Sequence, residues 1–372
     1  MAFTDYLLLD QKICSINSSL ETNVVSYINP QNVDEEKEKF FAALEEGQIY
    51  NPYFTYTPRN PLYSYFAIAP AFETFKNDLR EMIKTCQHDS LGLIFEKRML
   101  DLFEKMELMR SAGTENFTNN SEEYYGKITK NLLSVARELV KTDIPKEKKA
   151  ISLASAKKRI SAEFARRGLK YEILSRPAAG SNFAISVAER RLFINEGEKF
   201  SSNEIKRLIA HEVEAHAYRY ENGAIQPYKI FAQGLSKENT ETEEGIAVKI
   251  EELQGLSAAA QLKDYAGRVI AVNAARKKDF YHTFMELRNQ FSKEDAFRLA
   301  LRAKRGTFRQ DRKGAFTKDI LYLRGKLALE KFLEDFRLED LYMGRYSIYD
   351  YPLVRDVDGL KKPKHLPRFL KK

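Results

Sequence analysis

The segment His211-Glu212-Val213-Glu214-Ala215-His216 constrains this chain most, because it places two histidines and an adjacent acid in one predicted helix. Ser201 and Glu204 form a capping box, and the apolar spacing after it predicts a helix from Ser202 to about Glu221. Residues five apart on a regular α-helix stand about 140° apart around the axis, too far to share one ion. A π-type widening would return both histidines to one face. The spacing therefore indicates either two unrelated histidines on an ordinary helix or a helix distorted to hold a metal.

A third ligand is offered downstream, by the acids of Thr240-Glu241-Thr242-Glu243-Glu244-Gly245. Thr240 and Glu243 are predicted to form a second capping box, with these acids in the first turn of a helix, where they also suit the helix dipole. Paired with the histidine helix, one such carboxylate completes a His, His, Glu set with an open position, as in catalytic zinc sites. Glu212 is then expected to be the general base for the bound water.

The elements around these motifs predict a predominantly helical α+β fold. The first 150 residues have mainly helical patterns, including an apolar stripe from Phe95 to Met109 that Gly113 ends. A helix over about Ala150 to Arg167 then leads to a small sheet, and helices return from Asn195 to about Asp335. The strands of this sheet are predicted at Lys170–Leu174, Phe183–Val187 and Arg191–Ile194. We expect a helical region at 1–147, a catalytic domain at 148–345 and a basic tail at 346–372.

Composition and charge narrow the classes of partner. The chain lacks an apolar run of the roughly 18 residues that a membrane helix needs, and it lacks a basic-then-apolar leader. Cys14 and Cys86 are far apart and in no metal-like spacing, which favours reduced thiols. The net charge of +8 comes without a nucleic-acid-binding fingerprint, and it favours acidic protein partners. We therefore expect a cytoplasmic protein with neither membrane nor nucleic-acid partners.

The two motifs together resemble those of a known family. His211 to His216, followed by Thr242-Glu243-Glu244-Gly245-Ile246-Ala247, is similar to the HExxxH and (Q/E)EGLA motifs of the QEGLA-motif proteins. That family includes the microtubule-associated tyrosine carboxypeptidases, which remove a C-terminal tyrosine from tubulin. The resemblance covers about residues 25 to 335. Further similar segments are Asn29–Asn32, Glu35–Phe40, Asn51–Tyr56, Gly113–Gly126, Arg305–Gly306 and the GxFTKDxxYLxG stretch Gly314–Gly325.

The resemblance assigns roles to residues of the two motifs. It implies that His211 and His216 are zinc ligands and that Glu212 is the catalytic glutamate. The acid directly before glycine is shared across the family, which makes Glu244 the third ligand. The fold that it implies is a zincin-like catalytic domain behind a helical N-terminal region. Ile246 stands where the family has leucine, and the segment after about residue 345 has no counterpart in the resemblance.

The activity that follows is that of a zinc metallocarboxypeptidase, which removes a terminal tyrosine or phenylalanine from a protein or peptide with an acidic C-terminus. Tyr322 is the candidate donor to the oxyanion. Arg305, Arg309 and Lys318 are candidates for binding the substrate carboxylate, and the strand at 183–187 is a candidate for pairing with an extended substrate. Three alternatives remain open: a zinc endopeptidase, a non-peptidase regulatory or binding protein that keeps the zinc site, and a helical scaffold without metal.

Overall fold

The computed structural model describes residues 5–19, 24–56, 61–142, 148–176, 183–197, 199–256 and 259–370. Within these ranges the chain forms two compact units, and neither is continuous in sequence. The first unit takes its residues from 1–142 and 262–323, and the second from 143–261 and 324–372. Residues 262–323 thus pack with the N-terminal helices, and residues after 345 pack with the histidine helix. The boundaries expected after 147 and 345 stay predictions.

The helices before the sheet are α1 (Tyr6–Ser19), α2 (Val24–Tyr27), α3 (Val33–Glu45), α4 (Pro61–Ile83), α5 (Ser90–Ser111), α6 (Phe117–Tyr125), α7 (Lys130–Leu139) and α8 (Leu153–Arg166). The strands are β1 (Glu172–Arg176), β2 (Phe183–Ser186) and β3 (Arg191–Asn195). The helices around the histidine motif are α9 (Ser202–Leu208), a π-helix (Ile209–Ala217), α10 (Tyr218–Ala224), α11 (Ile230–Gln233) and α12 (Asn239–Leu253).

The remaining helices are α13 (Ala259–Ala275), α14 (Phe280–Arg288), α15 (Lys293–Lys304), α16 (Leu321–Phe332) and α17 (Tyr351–Val354). Short 3₁₀ turns occur at Thr317–Ile320, Leu338–Leu341 and Arg368–Leu370. The predominantly helical α+β class predicted from the sequence is confirmed. None of the helices described is long and apolar enough to cross a membrane.

Aromatic packing forms part of the core of the first unit. Phe40 of α3 meets the rings of Phe280, Phe284 and Phe297 edge to face, with centroids 4.8 to 5.4 Å apart. Such pairs add to the stabilisation from burial. The apolar stripe of α5 is also buried as predicted, apart from the half-buried Phe103, and the chain leaves the helix through Gly113 at a φ of +74°. Left-handed backbone of this kind favours glycine.

The sheet of the second unit has the strand order β1-β3-β2. β3 pairs in parallel with β1 and antiparallel with β2, and it buries Leu192 and Ile194 completely. The predicted strands match these within two residues. The segment 179–182, whose residue types predict a turn, lies outside the described residues. Among the described residues β2 pairs with β3 alone and is thus an edge strand, and the chain leads from β3 into the helix that carries the histidines.

Candidate metal centre

The histidine helix changes its winding at the motif. α9 begins with the predicted capping box, in which the Ser201 hydroxyl accepts from the Glu204 amide and the Glu204 carboxylate accepts from the Ser201 amide. From Ile209 to Ala217 the helix is of the π type, and α10 continues it. Because π-helical hydrogen bonds link residues five apart, this winding puts His211 and His216 on one face. The distortion predicted from their spacing is confirmed, and it extends over nine residues rather than a single bulge.

Glu244 reaches the two histidines from α12. A carboxylate oxygen, Oε2, lies 3.5 Å from Nε2 of His211, and the ligand atoms of His211, His216 and Glu244 all lie within 4.8 Å of one another. The capping box predicted for Thr240 and Glu243 is wrong, because α12 already begins at Asn239, so both residues lie inside the helix. The Glu243 carboxylate instead accepts from His216 Nδ1 and from Arg219 Nη1.

A buried carboxylate accepts a hydrogen bond from the Nδ1 atom of each histidine. His211 Nδ1 lies 2.8 Å from Glu251 Oε1, and His216 Nδ1 lies 2.8 Å from Glu243 Oε2. An imidazole that donates through Nδ1 keeps its lone pair on Nε2, the atom that in His211 faces Glu244. With a carboxylate as the partner of Nδ1, the neutral form of each imidazole is the tautomer that a metal ligand requires.

Arg219 anchors one of these carboxylates. Its side chain is fully buried, and Nη1 donates to Glu243 Oε1. Its other nitrogens donate to two backbone carbonyls, with Nε 2.8 Å from Leu341 O and Nη2 2.5 Å from Tyr346 O. The segment that follows α16 thus helps to fix the position of His216 through an arginine and a glutamate.

The charges of the centre shift the pKa values of its buried groups. Burial alone would raise the pKa of Glu243, but Arg219, Arg345 and the hydrogen bond from His216 outweigh it and lower the pKa to about 2. Burial alone would lower the pKa of His211, but hydrogen bonds to Glu244 and Glu251 outweigh it and raise the pKa well above its ordinary value. The acids around His211 therefore favour a positive charge at that position.

The donor set fits a zinc ion. Two ligand atoms bound to one tetrahedral ion at about 2.1 Å stand about 3.4 Å apart, close to the 3.5 Å between His211 Nε2 and Glu244 Oε2. Two neutral imidazoles and one carboxylate are the protein ligands of a common class of catalytic zinc site, whose fourth position is open. Glu212, next to His211 on the π-helix, is half-buried and suits a base acting on water at that position.

The other predicted site residues lie in the first unit. Arg309 is exposed at the surface and forms an ion pair with Asp311. Arg305 is buried, whereas Lys318 and Tyr322 are half-buried beside each other, with Lys318 Nζ 5.6 Å from the Tyr322 ring centroid. Their roles in binding and catalysis stay predictions.

Glu251, Arg219 and the role of Glu243 were missed in the sequence. Glu251 stands seven residues after Glu244, which is two helical turns along the same face of α12. That periodicity was a usable signal for a second carboxylate at the site. The contact of Arg219 with Glu243 joins two helices, and spacing within one helix carries no signal for it.

The comparisons with known proteins agree with the resemblance of the motifs. A family model described as microtubule-associated tyrosine carboxypeptidase matches residues 38–372. The chain is also similar to microtubule-associated tyrosine carboxypeptidase 1 of Rattus norvegicus, with 24% identity over 355 residues. That alignment covers 92% of this chain and 64% of the relative, so the chain spans less than two thirds of the relative's length. The family match includes the segment after residue 345, which the motif resemblance had left out.

Proposed function

This chain belongs to the microtubule-associated tyrosine carboxypeptidase family, and we propose that it is a zinc metallocarboxypeptidase that removes a C-terminal tyrosine or phenylalanine from a protein or peptide. One observation carries the metal assignment: a π-helix turns His211 and His216 towards Glu244, while Glu251 and Glu243 fix the imidazoles. The relative's name supplies the reaction type and tyrosine as the residue removed.

The proposed mechanism assigns each step to a residue of the chain. Zinc, when bound, supplies Lewis acidity to the scissile carbonyl and to water. Glu212 takes the proton of the attacking water and then delivers it to the leaving amine. Tyr322 is the predicted donor to the oxyanion, and its hydroxyl has no hydrogen-bond partner among the residues that the structure describes. β2, as an edge strand, is available for pairing with an extended substrate.

The substrate carboxylate needs a cation, and an acidic tail needs a positive surface. Arg305 and Lys318 are the predicted residues whose surroundings suit a carboxylate, whereas Arg309 already has a carboxylate partner in Asp311. The net charge of +8 favours encounter with acidic C-termini, an effect that added salt weakens. Cytoplasmic location and a substrate associated with microtubules are part of the same proposal.

The test is mass spectrometry of matched peptides that end in Tyr, Phe, Ala or Lys, each with a free or an amidated terminus, incubated with the zinc-loaded chain. We expect loss of the last residue from free peptides that end in Tyr or Phe, and no cleavage of the amidated ones. Internal cleavage, or equal cleavage of amidated peptides, would indicate an endopeptidase. Zinc binding with no cleavage of any peptide would indicate the regulatory alternative, and failure to bind zinc would leave a scaffold.

A further inference from the structure

A group of cations surrounds a pair of stacked tyrosines in the first unit. The rings of Tyr265 and Tyr322 stack with centroids 5.0 Å apart. The Arg268 guanidinium lies 4.2 Å from the Tyr322 centroid and 5.0 Å from that of Tyr265, and Lys318 Nζ lies 5.6 Å from the Tyr322 centroid. Arg305 is close enough to interact electrostatically with both Arg268 and Tyr322. We call Arg268, Arg305 and Lys318 the cation cluster.

The carboxylates nearby do not balance this charge. Asp319 accepts from Arg302, with Nε at 2.5 Å and Nη2 at 2.9 Å. Asp264 accepts from Arg268, with Nε at 2.8 Å, and a second arginine also binds it. Arg305 comes no closer than 3.8 Å to an Asp319 oxygen. Asp319, which is buried, and Asp264, which is 18% exposed, thus face four arginines, of which Arg298 also pairs with Asp295.

Several donors of the cation cluster have no acceptor. Nη1 of Arg268 and Nε of Arg305 are buried without a hydrogen-bond partner among the described residues, and the two side chains are only 10% and 6% exposed. Lys318, in the same part of the chain, makes no ion pair with any described residue. Burial, with the charge of Arg302 added, lowers the pKa of Arg305 to about 10. Buried donors are costly to leave unsatisfied, and a bound anion would supply the acceptors that they lack.

We propose that the cation cluster, with the stacked rings of Tyr265 and Tyr322, is a carboxylate-binding site. Guanidinium groups bind carboxylates with directed, charge-assisted hydrogen bonds. The adjoining rings offer an aromatic surface to the residue that bears the carboxylate. Lys318 and Tyr322 are half-buried, so they present an accessible edge to a ligand. The identity of the ligand rests on the proposed function: the carboxylate is the C-terminus of a substrate peptide that ends in an aromatic residue.

Fluorescence anisotropy tests the site directly. The probes are an N-terminally labelled acidic peptide that ends in tyrosine with a free carboxylate, and the same peptide with an amidated terminus. The zinc-loaded Glu212→Gln chain serves as the binding partner, so that the peptide is not consumed. We compare it with versions that also carry Lys318→Met or Arg268→Gln. Lys313→Met is the matched control, because Lys313 is an exposed lysine of the same unit.

We expect Lys318→Met and Arg268→Gln each to weaken binding of the free peptide roughly tenfold or more, and Lys313→Met to leave it unchanged. The amidated peptide should bind the parent chain more weakly. Equal loss for both peptides would show that acidic side chains of the peptide bind at the cation cluster, and it would overturn the assignment of the C-terminal carboxylate. Because Arg268 is buried, thermal melting checks its folding, and the half-buried Lys318 decides the matter if Arg268→Gln does not fold. Unchanged affinity in Lys318→Met, or no binding by the parent chain, overturns the proposal.

Failure of the carboxylate-binding site can be distinguished from failure of the proposed peptidase function. Hydrolysis by the wild-type chain together with unchanged peptide affinity in Lys318→Met would remove the site and leave the peptidase standing. Peptide binding that is weakened by Lys318→Met, with no hydrolysis by the wild-type chain, would support the site and contradict the peptidase.

Discussion

The two histidines of the metal centre differ in the carboxylates that hold them. Glu243 shares its charge with Arg219 and lies 3.6 Å from Arg345 Nε. Glu251 has no cation other than His211 within ion-pairing distance among the described residues. We infer that Glu251 contributes its full negative charge to the ligand set, whereas Glu243 acts mainly by orienting its imidazole. Removing one or the other should therefore have different consequences.

Glu251→Gln and Glu243→Gln should both weaken zinc binding about 10- to 100-fold, because each replaces the carboxylate that orients a ligand by a neutral, weaker acceptor. Only Glu243→Gln leaves the buried Arg219 without its carboxylate, so only this variant should also lower the melting temperature of the metal-free chain. Competition with a chromophoric chelator measures the affinity, and Glu252→Gln, on the same helix, is the control. Wild-type zinc affinity in Glu251→Gln would contradict this account.

Glu212→Gln should keep the metal and lose hydrolysis. The substitution removes a base while His211, His216 and Glu244 survive, and a positioned base typically contributes about 10²- to 10⁴-fold to the rate. Metal content by atomic absorption and peptide cleavage by mass spectrometry are measured on the same preparation. Cleavage at the wild-type rate would place the base at another residue.

At the scale of elements, the sequence predicted the features that short-range spacing encodes. The five-residue interval between His211 and His216 required a widened helix if both were ligands, and the strands followed from their alternation and turn residues. The predicted start of α12 was wrong. Glu243 matches a capping pattern, but its carboxylate accepts from His216 and Arg219 of the histidine helix. The nine-residue length of the π-helix also had no signal, because the spacing of the motif predicts widening only between the two histidines.

We predict that the two glycines where α12 crosses α16 cannot be replaced by a residue with a side chain. A Cβ atom at Gly245 would lie 2.4 Å from the Gly325 carbonyl oxygen, and a Cβ at Gly325 would lie 2.1 Å from that of Glu241. Gly245→Ala should therefore push α12 away and destabilise the chain by about 1–3 kcal/mol. Because Glu244 neighbours the substituted residue, zinc affinity should fall with the melting temperature.

Gly197→Ala is the control for that variant, since a Cβ there meets no atom closer than 4.0 Å. Thermal melting and chelator competition measure the two effects. An unchanged melting temperature in Gly245→Ala, or one that falls while zinc affinity stays constant, would argue against α12 as the element that places the third ligand.

At the scale of the whole molecule, the decisive contacts join residues that are far apart in sequence. Arg219 donates to the Tyr346 carbonyl across 127 positions, and the Tyr342 hydroxyl donates to the carbonyl of Glu214, within the π-helix, at 2.8 Å. Such long-range pairings leave no local pattern in the sequence. For that reason the segment after residue 345 was predicted only as a basic tail. In the structure the segment from Leu338 to Asp350 contacts the histidine helix and α12. Its inclusion in the family match is consistent with that position.

The first unit should lose stability in acid, because its buried aspartates depend on their arginines. Asp264 accepts from Arg268 Nε at 2.8 Å and from Arg298 Nη2 at 2.6 Å. Burial alone would raise the pKa of Asp264, but the two arginines outweigh it and lower the pKa to about 2. A carboxylate with a folded-state pKa below its unfolded value stabilises the fold above the unfolded pKa of about 3.9. This stabilisation is lost as the pH falls from about 4 to about 2.

Asp264→Asn should therefore be less stable than the wild-type chain at pH 7 by at least about 2 kcal/mol, with a smaller difference at pH 3. Urea unfolding followed by circular dichroism at several pH values gives both quantities. Asp78→Asn, at an exposed position of the same unit, should follow the wild-type pH dependence. If Asp264→Asn loses as much stability between pH 5 and pH 3 as the wild-type chain does, the acid sensitivity arises elsewhere, and the ion pairs of Asp264 do not govern it.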